Sequence, residues 1–137
     1  MLFRSGQTWV MLDTGYKGQL YGALAIPGET DQETLIAFGF GGRVFRSMDR
    51  GAHWQESVLA ERKPVVSGRV LADGSVLLLS YDGIFYRSVD KGRNFTRADA
   101  SAGMTAAAMM PIDGDSFVVA GTSGTKIVTI HNTAKTR

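Results

Sequence analysis

Ser47-Met48-Asp49-Arg50-Gly51-Ala52-His53-Trp54 and Ser88-Val89-Asp90-Lys91-Gly92-Arg93-Asn94-Phe95 share one pattern, Ser-x-Asp-x-Gly-x-x-aromatic, and each matched pair stands 41 residues apart. A motif met once is weak evidence, but two in one register mark a repeat. The register extends beyond the motif. Gly42, Gly83 and Gly124 keep the 41-residue spacing, as do the apolar runs that begin at Leu35, Val76 and Phe117. Three copies of one unit are therefore predicted.

Each copy reads as four short strands. In the second they fall at about residues 65–71, 75–80, 84–88 and 94–98. The second strand of each copy is continuously apolar, as befits a strand buried on both faces between stacked sheets. Short links follow at Phe40-Gly41-Gly42, Tyr81-Asp82-Gly83 and Thr122-Ser123-Gly124, where glycine makes positive φ cheap and an antiparallel return is favoured. Four strands in a period near 41 residues match a propeller blade. The predicted fold is all-β: a partial β-propeller of four-stranded antiparallel blades, two complete and most of a third. The blades fall at residues 19–59, 60–100 and 101–137, after an outer strand of a preceding blade at 6–18.

Composition agrees and narrows the function. The 137 residues are 44% apolar and 20% charged, with 17 glycines and 3 prolines. Fifteen basic and thirteen acidic residues are interspersed, so no basic run offers a nucleic-acid footprint. No cysteine is present, which removes disulfides, thiolate metal sites and thiol catalysis. No stretch reaches the roughly 18 apolar residues of a membrane span. His53 and His131 stand without acidic partners at ligand spacing, so neither a metal nor a cofactor is predicted.

The box explains its own residues. Serine and aspartate can satisfy the backbone of a tight turn, glycine supplies its φ, and the last aromatic can pack into the seam between sheets. A carboxylate at one point of every repeat, Asp49 or Asp90, is thus turn chemistry and not a general acid or metal ligand. Arg46 and Arg87, equivalent in the repeat, are expected to pair with neighbouring blades. Met104, Met109 and Met110 lie among alanines in a run that resembles helix by propensity. The repeat assigns it to an inner strand.

Through these residues the chain resembles the Asp-box (sialidase, or BNR-repeat) propeller superfamily. It is most similar to the branch of the photosystem II stability and assembly factor, along Leu35 to Trp54 above all. The likeness covers about residues 6–130. It implies a structural role for Ser47, Asp49, Gly51, Trp54, Ser88, Asp90, Gly92 and Phe95. It further implies a protein partner, with a carbohydrate as the second ligand class, and export to the periplasm or cell exterior. In such propellers the box lies opposite the usual binding face, so Tyr16, Lys17, Arg62, Lys63, Tyr81 and Asp82 are the candidate binding residues. The third copy departs from the family, with Thr129 and His131 where serine and aspartate belong.

Two alternatives accompany this reading. Gly6-Gln7-Thr8-Trp9 looks like the second half of a further box whose first half is lost. Residues 1–5 then read as a non-native start, such as a translated sequencing adapter, or else as a repeat with an in-frame deletion. The functional alternative is a fragment of a sialidase-type glycoside hydrolase, with Tyr81, Asp82, Arg62 and Arg69 cast as nucleophile, acid and substrate clamps. Polar residues are ordinary in such a link, and the scaffold reading is preferred.

Overall fold

A computed structural model describes residues 11–28 and 33–130. The protein is all-β, with three antiparallel sheets, none closed into a barrel. The first sheet runs β1 (Leu20–Ile26), β2 (Thr34–Gly39), β3 (Arg43–Ser47) and β4 (Gln55–Val58), each strand hydrogen-bonded to the next. The second repeats that order with β5 (Val65–Val70), β6 (Val76–Ser80), β7 (Ile84–Ser88) and β8 (Thr96–Ser101). The third has β9 (Ala106–Asp113), β10 (Ser116–Gly121) and β11 (Gly124–Thr129), with β10 in the middle. The Met-Ala run is strand β9, so pairing with β10 overrides its helical propensity.

Alternation explains how the sheets stack. Strand β6 is buried at every position, because successive side chains leave it in opposite directions. Val76 and Leu78 enter one core with Ile36, Phe38 and Val44 of the first sheet. Leu77 and Leu79 enter another with Met109, Phe117 and Val119 of the third. The middle sheet is thus covered on both faces, as its unbroken hydrophobic run requires.

Two differences from the sequence reading stand out. Residues 11–19 contain no strand; the rest of the outer strand predicted at 6–18, like residues 1–5, lies outside the described residues. The segment instead lies against the first sheet, where the Tyr16 ring packs 5.4 Å from that of Phe45 and Leu12 abuts Gly51. The second difference is in the third copy. Links of three residues join β2 to β3 and β6 to β7, but only Thr122-Ser123 separates β10 from β11, and Gly124 already pairs with Gly121. One residue fewer shifts the register by one, which exchanges the faces of the strand. Leu35 pairs with Ser47 and Val76 with Ser88, whereas Phe117 pairs with Val128. The place of the box serine thus belongs to buried Val128 and not to Thr129; His131 lies outside the described residues.

Candidate functional site

The two Ser-Asp-Gly turns are almost superimposable in their hydrogen bonds. In the first, Ser47 Oγ donates to Asp49 Oδ1 (2.9 Å) and accepts from the N–H groups of Asp49 (3.3 Å) and Gly51 (2.8 Å). In the second, Ser88 Oγ donates to Asp90 Oδ1 (2.7 Å) and accepts from Asp90 (3.3 Å) and Gly92 (2.8 Å). Each aspartate then accepts from the backbone N–H four residues on, His53 or Asn94, at 2.9 Å in both cases. Its second oxygen meets that residue's side chain, His53 Nδ1 at 2.6 Å or Asn94 Nδ2 at 2.8 Å.

These bonds fix the acidity of both groups. Hydrogen bonds from the His53 ring and backbone hold Asp49 down to about 2. Burial would raise Asp90, but the Asn94 N–H, the Ser88 hydroxyl and the Asn94 amide outweigh it, and the group also sits at about 2. A carboxyl so depressed and so fully engaged is a poor general acid at neutral pH. Positive φ at Gly51 (91°) and Gly92 (86°) is needed, and a side chain at either would also strike a neighbour. That neighbour is Leu12 in the first turn and Ile36 of the first sheet in the second. The closing aromatics differ: Phe95 packs against the core between the first two sheets, while Trp54 belongs to neither core.

At the other end of the sheets, the three links share one hydrogen bond. The N–H groups of Phe40, Tyr81 and Thr122, 41 residues apart, donate to the carbonyls of Gln19, Pro64 and Thr105 at 3.0, 2.7 and 3.3 Å. Tyr81 also accepts from the N–H of Ala106 at 2.7 Å, so its backbone is pinned to the starts of both β5 and β9. Its ring remains 48% exposed. Beside it opens a cavity of about 530 Å³ lined by Tyr21, Pro64, Val66, Tyr81, Ala106 and Ala107, drawn from the edge strands β1, β5 and β9, the residue before β5 and the link between β6 and β7. Apart from the two phenols, no ionisable side chain lines it.

The six predicted binding residues do not converge on this cavity; only Tyr81 lines it. The Asp82 carboxylate is engaged by the Ser80 hydroxyl. Arg62, at φ 56°, packs its backbone against Gly42, beside the first link. The Tyr16 hydroxyl reaches the Phe40 carbonyl (3.4 Å), and its ring lies 4.9 Å under the Arg43 guanidinium, which pairs with Glu56. Tyr16 is thereby spent on packing. Lys17 and Lys63 are exposed. Arg69 donates to the Met109 carbonyl (3.4 Å) and ties β5 to β9. Sequence reasoning missed Tyr21, and the signal was weak: one aromatic on a strand with no counterpart in the repeat. Phe40, 54% exposed, was legible as the register partner of Tyr81.

Among the described residues no three His, Cys, Asp or Glu gather as metal ligands, and no helix is long and apolar enough to cross a membrane. No family model, curated protein or solved structure matches the chain.

Proposed function

We propose that the three sheets are blades of an Asp-box-type β-propeller and that the chain is a non-catalytic scaffold. It takes a protein partner in the cavity between Tyr21 and Tyr81. The observation that carries this reading is the character of that cavity: open, apolar and framed by two half-exposed phenols, of which Tyr81 stands on a backbone pinned from two sides. Rigid aromatics present large contact area at small entropic cost, and their hydroxyls can orient a bound chain. Pro64 and the alanine pair leave room for an extended segment carrying proline or an aromatic side chain. The sialidase-type alternative needs an acid and an arginine cluster at the same place. Asp82 and Arg69 are already engaged, by Ser80 and by the Met109 carbonyl.

The test is an array of proline- and aromatic-containing peptides beside an array of glycans, each read for binding to the whole chain. A peptide hit should weaken at least about tenfold in Tyr81→Ala, a loss of about 1.4 kcal/mol. Tyr16→Ala should leave it unchanged. Turnover of a fluorogenic sialoside by the chain, or hits confined to glycans, would overturn the proposal.

A further inference from the structure

The two ends of the stack are not alike. On the first sheet, the face turned away from the second is closed by the chain itself: Tyr16 lies on Phe45, which is 2% exposed, and Leu12 on Gly51. On the third sheet, no described segment covers the face turned away from the second. Met110, Val118 and Ile127 stand opposite one another across β9, β10 and β11, with Ala108 and Ala120 paired beside them. Met110 is 61% exposed and Ile127 66%, with Ile112 also exposed further along β9. No charged side chain interrupts this row. The one-residue slip contributes: it sets Ile127 opposite Val118, where the first two sheets have Arg46 opposite Ile36 and Arg87 opposite Leu77, and it pairs Lys126 with Val119, on the face turned toward the second sheet.

We infer that this face is a self-association surface on which two copies of the chain pair sheet to sheet about a two-fold axis. The inference stands on the stacking of the sheets and is independent of the ligand cavity. Within the chain, the corresponding faces of the first and second sheets are each covered by the opposite face of the next sheet, so the open face is of the kind that packs against a sheet. A second copy has one such face to offer, because its other end is closed by residues 11–19. Like must then meet like, and an isologous contact stops at two. Arginine at residue 127 would set like charges against each other across the axis, and isoleucine removes that cost. Six-residue strands at about 3.3 Å per residue and about 4.8 Å apart make a face of about 20 by 14 Å. That is smaller than the roughly 800 Å² per partner of a standard interface, so the dimer is weak, with Kd of tens of micromolar or more.

Sedimentation velocity on the full chain, from about 10 to about 500 μM, should show the mass rising from one copy toward two. Ile127→Lys, a substitution at an exposed site, should hold the mass at one copy while circular dichroism stays unchanged. An equal mixture of Ile127→Lys and Ile127→Glu chains should pair again. Met110→Glu should act as Ile127→Lys does, and Tyr81→Ala should dimerise like the unaltered chain. A single-copy mass throughout the range, a ladder of masses above two copies, or pairing indifferent to Ile127→Lys overturns the inference.

Discussion

The junction between the first and second sheets and the junction between the second and third are built from the same repeat, yet they are fastened differently. At the first, Arg46 crosses from β3 to the turn between β7 and β8 and donates to the Lys91 carbonyl at 2.9 Å. Burial and the nearby Arg93 lower its pKa, against the attraction of Asp90. At the second, the equivalent Arg87 does not cross. It turns back to its own sheet and binds Asp73 (2.8 Å) and Ser75 (3.3 Å) in the link between β5 and β6. The crossing there is left to Arg69 and to Lys126, whose Nζ donates to the Ala102 carbonyl at 2.7 Å. The apolar half of a repeat needs only alternation and survives a slip of one residue. The polar half depends on which group each side chain reaches, and it differs between the two junctions.

If that division is right, the greatest losses should be equal at the two junctions. Leu78 points into the first and Leu77 into the second, and both are fully buried. Leu78→Ala and Leu77→Ala should each cost about 2–5 kcal/mol in urea unfolding, within about 1 kcal/mol of each other. A near-neutral result for either would break the equivalence of the cores.

The polar fastening should separate what the cores leave equal. Arg46→Leu removes a charge-assisted donor from a nearly buried site and leaves the Lys91 carbonyl without it, at a cost of about 1.5–3 kcal/mol. Arg87→Leu gives up a bond to a half-exposed aspartate and should cost less than about 1 kcal/mol. Equal losses in parallel urea melts would mean that crossing the junction confers nothing.

Much of this was legible in the residues, and the rest was hidden for definite reasons. The strands from 65 to 101 fall within a few residues of expectation, because a run such as Val76-Leu77-Leu78-Leu79 has few homes other than the middle of a stack. The box turns were legible because each residue type answers one backbone need. The slip in the third copy was not: Gly124 keeps the spacing of Gly42 and Gly83, and only pairing with Gly121 reveals a shorter link. Identity at a spacing reports ancestry, while register is decided by turn geometry. The cavity was half legible. Tyr81 was read from its link, but Tyr21 becomes its companion only when β1 and β5 lie side by side, a long-range fact.

Acid offers the finest probe of the contrast, because the carboxylates held at about 2 belong to the turns of the first two sheets, and the third copy has no Ser-x-Asp sequence at the corresponding place. An unfolded aspartate titrates near 3.9. Since the folded values are lower, the unfolded chain takes up protons first as pH falls. The stability these groups contribute is therefore present above about pH 4 and drains away toward about pH 2. Asp90→Asn removes one such proton uptake but keeps an oxygen to accept from Ser88 and Asn94. Its stability should fall less steeply from pH 4 to 2 than that of the unaltered chain, and Asp49→Asn should show the same flattening. Urea melts at closely spaced pH values resolve the difference, and a variant pair with unchanged slopes would assign the acid sensitivity to groups outside the turns.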